Sequence, residues 1–340
     1  MKNKLFPALG VLILISLFVL GACKGRDSED SELNGPSEVY TGDSFEIRYC
    51  SKWHPQAQFS GIYMALEKGF YAQHGLDVKI QKVLQSDAAL DSLESGALDV
   101  IHLDLLAALQ VNADSFRVVN ICQIAQRNPV LLVGKRSRGI NSISDFAGKK
   151  IGVWRTGSNL STYAFLEDHD LSMEIIPIDW SISLFTEDAV DVINIMCYNE
   201  YHQLLLSGIK EEDLFVVDLN ALGYSVPDEG LYVTPEFYKA HPEECQNFAS
   251  ATIDGWFYAF SHIQETVSVV LERMRKANIK ANKTLQHEML NEMKKIVLPS
   301  TSEIGILKEE DYLRALELLY KMSELQIEMK YEDFYPHATE

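Results

Sequence analysis

Three short stretches carry the residue types best suited to hold a small polar molecule. "WHPQAQ" joins the indole of Trp53 to the amide of Gln56. "CYNEY" sets a phenol, an amide and a carboxylate side by side at Tyr198, Asn199 and Glu200. "VPDEGLY" places Asp228 and Glu229 before a glycine. Aromatic faces stack on flat rings, amides both donate and accept, and carboxylates accept from amino and ring N–H groups. Asp104 follows "LDVIHL", and Asn128 stands in "AQRNP". In "WRTGSN", Trp154 precedes a loop of small polar residues, Thr156, Gly157 and Ser158, suited to a polar ligand group at a helix N-terminus. These residues bind rather than react. No G-x-S-x-G, H-E-x-x-H, Walker A or G-x-G-x-x-G pattern occurs. His54, His74, His102 and His202 lack partners at ligand spacing and read as surface or core histidines. No catalytic residue, metal site or cofactor is expected.

The candidates fall where strands end, so the elements that position them follow from the same pattern. "FEIRYC", "LDVKIQKV", "LDVIHL", "VVNICQIA", "PVLLVGK", "KKIGVWR", "MEIIPID" and "VDVINIM" are short apolar strands. "FSGIYMALEKGFYAQHG", "DAALDSLESG" and "STYAFLEDHDL" are helices between them, and "LFVVDLN" and "GLYVTP" are strands expected to return to the first half. After Glu236 the chain is mostly helical. This alternation predicts an α/β fold of two doubly wound lobes, two interlobe crossings near 128–134 and 218–230, and a C-terminal helical wrap. Lobe 1 is expected to comprise 45–130 and 225–335, and lobe 2 to comprise 131–224. Ligands of such sheets sit outside the carboxyl ends of the strands, here between the lobes.

The N-terminus reads differently. Lys2 and Lys4 precede an apolar run that closes with "LGAC" at Cys23. That is the pattern of an export signal over 1–22, too short for a spanning helix. "LGAC" resembles a bacterial lipobox, which implies a lipid on Cys23, and 23–44 is an acidic, Gly- and Pro-containing tether. The expected location is therefore the cell envelope, extracytoplasmic, held to a membrane by the N-terminal lipid only. A formal net charge of −19 over 340 residues argues against nucleic acid. Cys50, Cys122, Cys197 and Cys245 are spaced for neither a zinc site nor a disulfide-dense scaffold, and pairing or free thiols remain open.

The order and content of "QAQFSGIYMALEKGFYAQHGLDVKI", "LESGALDVI", "SDFAGKKIGVW", "YNEY" and "DEGLYVTPEFY" resemble the NMT1/THI5-like family. Its members are mainly solute-binding proteins of ABC importers, near relatives of receptors for thiamine pyrimidine precursors and, more loosely, of nitrate and alkylsulfonate receptors. The resemblance implies a type II periplasmic-binding fold, a small-molecule ligand closed between the lobes, and an ABC permease and ATPase as partners of a monomer. It also implies that Trp53 and Tyr198 sandwich a ring, that Asn199 and Glu200 form one jaw, and that Asp228 and Glu229 are an acidic pair facing ring nitrogens and amines. One branch, the fungal pyrimidine synthases, consumes pyridoxal phosphate and a histidine of its own. The lysine and histidine essential to that branch fall here on Leu103 and Ala107, and its cysteine cluster falls on "SVPDEGL". A riboflavin-like, sulfonate or nitrate ligand, a surface sensor and a cleft enzyme remain alternatives.

Overall fold

The computed structural model describes residues 43–113, 118–155, 159–179, 181–300 and 304–336. Cys23, Thr156, Gly157 and Ser158 lie outside these residues. Ten strands form two five-stranded sheets. The first contains β1 (Phe45–Cys50), β2 (Leu76–Ile80), β3 (Val100–Asp104), β4 (Val119–Gln123) and the late strand β10 (Glu229–Val233), in the order β2-β1-β3-β10-β4. The second contains β5 (Val130–Lys135), β6 (Lys150–Trp154), β7 (Glu174–Ile178), β8 (Val192–Met196) and β9 (Leu214–Asp218), in the order β7-β6-β8-β5-β9. In each sheet three strands run parallel through helical crossovers, and one of the strands that passes between the lobes inserts antiparallel beside them. The fold is the predicted one, with one correction. β9 pairs with β5, Leu131 opposite Asp218, and so completes the second sheet; the return to the first begins only after Asp218.

Helices α1 (Ser60–Glu67), α2 (Phe70–Gln73), α3 (Ser86–Glu94) and α4 (Leu105–Ala113) belong to the first lobe, and α5 (Leu160–Asp168), α6 (Ser183–Thr186) and α7 (Glu200–Leu206) to the second. The single helix expected over "FSGIYMALEKGFYAQHG" divides because Gly69 adopts φ 72°, a left-handed conformation that L side chains resist. α4 and α7 were not legible as helices. α4 (LLAALQVNA) follows directly on β3 and continues its apolar run past Asp104, and α7 begins after only a three-residue turn at 197–199.

The remaining helices are α8 (Pro235–Ala240), α9 (Pro242–Ser261), α10 (Ile263–Lys276), α11 (Lys283–Val297), α12 (Glu309–Ser323) and α13 (Tyr331–Phe334). α9 crosses α1 so closely that a Cβ at Gly255 would stand 2.0 Å from the Gly61 carbonyl oxygen, and one at Gly61 would strike the Trp256 indole at 2.4 Å. Two glycines thus let an early helix and a late helix share one buried seam. α12 packs on both α4 and α5, and α11 reaches α7, so the wrap touches both lobes. Lys321 on α12 pairs with Asp168 at the end of α5, and Arg314 donates to the Ser225 carbonyl at 2.9 Å. Four clusters of buried apolar side chains cover the sheets. Cys50, Cys122, Cys197 and Cys245 are free thiols. No helix among the described residues is long and apolar enough to cross a membrane.

Candidate ligand-binding site

The strand order decides which side chains meet. β1 lies beside β3, and β3 beside β10, whose antiparallel register sets Glu229 opposite Asp104. The beginning of β10 therefore lies level with the carboxyl ends of β1 and β3, and side chains opposite one another in such a pair project to the same face. Lys52, just past β1, reaches into this row. Its ammonium pairs with Asp104 and lies 3.2 Å from Glu229 Oε2 and 3.6 Å from Asp228 Oδ2. Gln58 Nε2 donates to Glu229 Oε2 at 2.6 Å while its Oε1 accepts from Gln56 Nε2, so the two amides back the cluster. Beneath it, the Tyr49 hydroxyl lies 2.9 Å from His102 Nδ1.

The charges in the row are interdependent. Burial opposes charge on Lys52, but Asp104, Asp228 and Glu229 together hold its ammonium well above the ordinary lysine range. Burial likewise favours protonation of Asp104, yet Lys52 outweighs it and keeps that carboxyl below the ordinary range. For Asp228, burial and then the neighbouring Asp104 charge push the carboxyl well up. Glu229 is raised chiefly by burial, against the pull of Lys52. Burial, reinforced by Lys52, lowers His102 to about 3, so the imidazole is neutral: a core histidine, as its sequence context implies. Two carboxylate oxygens, Asp228 Oδ2 and Glu229 Oε1, are buried with no hydrogen-bond partner.

A small opening lies against this cluster, its cavity volume about 10 Å³, room for a single water. Asp104, Leu105 and Leu106 line one side, Asn128 and Ser161 the other, and Val226, Pro227 and Asp228 the rest. Asn128 is fully committed. Its Oδ1 accepts from Val130 N at 2.9 Å, and its Nδ2 donates to the Tyr224 carbonyl at 2.7 Å and to Ser161 Oγ at 3.1 Å. It therefore ties the two crossings to the start of α5.

From the second lobe, the end of β8 reaches across. Tyr198 is 5% exposed and packs within the first lobe's main core cluster, near enough for Lys52 to act on its phenol, although burial keeps the phenol neutral. The rest of "YNE" turns inward. Glu200 Oε2 accepts from Met196 N at 3.1 Å and Oε1 from Asn199 Nδ2 at 2.6 Å, while Gln203 Nε2 donates to Asn199 Oδ1 at 2.9 Å. Burial raises the Glu200 carboxyl to about 7. Both side chains close a turn at the start of α7, which contrasts with the open jaw expected of them. Trp53 is half-buried against the first-lobe core, its ring edge-on to His54 at 5.7 Å. Trp154 packs instead against the second-lobe cluster of Ile178 and Phe185, its indole N–H unpartnered.

The structure therefore brings Gln56, Asp104, Asp228 and Glu229 into one network, sets Asn128 and Tyr198 at its edge, and leaves Trp154 apart. Sequence reasoning missed Lys52, Gln58 and Ser161. Lys52 stands beside Trp53 in "CSKW", and Gln58 repeats Gln56 at the spacing of two in "QAQ". A cation at one strand end and carboxylates at two others were the available signal.

Two doubly wound lobes, joined by two crossings and meeting at a polar cluster on their strand ends, define the type II periplasmic-binding fold. Within that class the chain belongs to the NMT1/THI5-like family, whose model matches residues 56–266. It is 22% identical over 298 residues to a riboflavin-binding protein of Chloroflexus aurantiacus (84% of this chain, 82% of that one). It is 21% identical over 292 residues to a formylaminopyrimidine-binding protein of Halalkalibacterium halodurans (83% of each). A 4-amino-5-hydroxymethyl-2-methylpyrimidine phosphate synthase of Legionella pneumophila is 21% identical over 229 residues (65% of this chain, 71% of that one). The crystal structure of the periplasmic aliphatic sulphonate binding protein of Escherichia coli matches at a TM-score of 0.66, with 11% identity, over 85% of this chain and 97% of that one. The last likeness is one of fold.

Proposed function

We propose that this protein is the extracytoplasmic solute receptor of an ABC importer and that it binds a small planar N-heterocycle, of the aminopyrimidine or flavin kind, between its lobes. The observation that carries the reading is the pair of buried, unpartnered carboxylate oxygens, Asp228 Oδ2 and Glu229 Oε1. A buried acceptor without a donor costs about 1–3 kcal/mol, which a ligand's amino or ring N–H groups would recover. Tyr198 and Trp53 supply aromatic surface from opposite lobes. Closure is a hinge at the crossings 124–129 and 219–228, and the closed form is favoured because ligand contacts come from both lobes. A lipid on Cys23 would tether the monomeric receptor beside its permease and ATPase partners. The names of the two binding-protein relatives support the ligand class.

Two observations weigh against the enzymatic reading. Leu103 and Ala107 stand where the pyrimidine synthases have lysine and histidine. The one lysine in the carboxylate network, Lys52, is held charged and is therefore no nucleophile. An oxyanion ligand is disfavoured as well, because two arginines flanking the strand ends have other partners: Arg127 the Lys295 carbonyl and Arg155 the Asp179 carboxylate at 3.3 Å.

The test is a thermal-shift screen of protein unfolded and refolded to remove copurified ligand. The panel contains formylaminopyrimidine, hydroxymethylpyrimidine, riboflavin, nucleobases, alkanesulfonates and nitrate. A ligand at about 100 times its Kd should stabilise by roughly 2.7 kcal/mol. A shift with a pyrimidine or flavin is expected; a shift with sulfonate or nitrate alone would overturn the ligand class.

A further inference from the structure

The opening between the lobes holds several features that attract anions. The start of α4 contributes Leu105 and Leu106, and the first turn of α5 contributes Ser161. Both are nine-residue helices whose N-terminal ends carry partial positive charge. An ammonium, that of Lys52, lies alongside with its side chain 18% exposed. Left to themselves, two helix starts and a lysine would receive a sulfonate, a phosphate or a nitrate.

We propose that the carboxyl groups of Asp104, Asp228 and Glu229 pre-empt that role, and so set the cleft's selectivity for N–H-bearing neutral or cationic solutes against oxyanions. This rests on the reading of the opening as the ligand site. Asp104 occupies the position just before α4 and pairs with Lys52, while Glu229 and Asp228 approach the same ammonium at 3.2 and 3.6 Å. Three carboxyls surround the Lys52 ammonium, with Asp104 in the tightest contact, so an incoming anion would have to displace them. The two unpartnered oxygens, Asp228 Oδ2 and Glu229 Oε1, belong to side chains 7% and 1% exposed and can accept only from a donor. An oxyanion placed there would meet the Asp104 carboxylate, which Lys52 holds in its charged form, at short range in a buried setting, an unfavourable meeting of like charges. A solute with an amino group or a protonated ring nitrogen meets complementary acceptors instead. Selectivity in this reading is a property of the built-in anions rather than of cavity shape. The same scaffold with neutral side chains at these positions would release Lys52 and the helix starts to bind an oxyanion.

The experiment is isothermal titration of ligand-stripped full-length protein with ethanesulfonate and, separately, 4-aminopyrimidine, on the wild type and on Asp104→Asn/Glu229→Gln. The double variant is expected to bind ethanesulfonate at least tenfold more tightly than the wild type and 4-aminopyrimidine at least tenfold more weakly. Should the double variant not fold by circular dichroism, Asp104→Asn alone is expected to gain at least threefold for ethanesulfonate. Folded variants as indifferent to ethanesulfonate as the wild type would overturn the proposal, as would a wild type that binds ethanesulfonate as well as its variants do. A wild type that binds no heterocycle would defeat the receptor reading instead, while the sulfonate comparison would still decide this one.

Discussion

The two lobes each bring carboxylates to a strand end, and they use them in opposite ways. At the tips of β1, β3 and β10, Asp104, Asp228 and Glu229 gather around Lys52 and leave two oxygens without donors, that of Asp228 on a residue that lines an opening. At the tip of β8, Glu200 spends both oxygens on Met196 N and Asn199 Nδ2, and closes its own turn. Residue type and burial are alike; hydrogen-bond closure differs. An acid whose acceptors are all used is scaffold, whereas an acid with an idle buried acceptor is waiting for a donor.

The largest effect should come from removing the cation of the first cluster. Lys52→Met strands three buried carboxyls, and breaking such a network costs about 3–5 kcal/mol. Without Lys52 the proton affinities of all three carboxyls rise, Asp104 from below its unfolded value and Asp228 and Glu229 from above theirs, so the loss should be greatest above neutral pH and recede toward pH 5. Urea unfolding of the unliganded variant at both pH values measures this. A Lys52→Met protein as stable as the wild type at pH 8 would show the cluster to be solvated and the contrast with β8 empty.

Next comes Glu200, whose carboxyl titrates near 7 in the fold against an ordinary value of 4.5. Raised in the folded state, it lowers stability as pH climbs from about 4.5 to 7 and by a constant amount above that. The span is on the order of 3 kcal/mol. Glu200→Gln should flatten that part of the stability–pH curve while changing ligand affinity less than threefold. An unchanged curve accompanied by lost affinity would mean that Glu200 faces ligand after all.

Asn199→Ala should have the smallest effect. It removes two hydrogen bonds within a half-buried turn, each worth about 1 kcal/mol net or less, and should leave affinity within threefold. A tenfold loss of affinity, read by titration calorimetry, would move the second lobe's turn from scaffold to contact.

Much of the architecture was legible because short apolar strands alternate with amphipathic helices, and strand ends in such a pattern mark the cleft. What stayed hidden depends on pairing. "LFVVDLN" reads as a strand in any sheet, and only its ladder with β5 assigns it to the second. Glu200 reads in the sequence as a jaw of the cleft, and only the fold shows its two oxygens turned to Met196 N and Asn199 Nδ2, because a sequence displays a carboxylate but not the direction in which it points. Lys52 passed unnoticed for the converse reason: a single lysine is ordinary until the register of β10 against β3 delivers acids to it. Asp228 and Glu229 could be singled out beforehand, since a charged pair leading into a buried strand has few other places to go.

The position of β10 also has a consequence in time. The second sheet is built wholly from 130–218, so all five of its strands exist as soon as that stretch has been synthesised. The first sheet lacks a member until Glu229–Val233 arrives to insert between β3 and β4, pairing Gly230 with both Leu103 and Gln123. The acid that finishes the cluster, Glu229, is the first residue of that strand. The half of the molecule that begins the chain is therefore the half completed later, and its binding chemistry is assembled by the same step that closes its sheet.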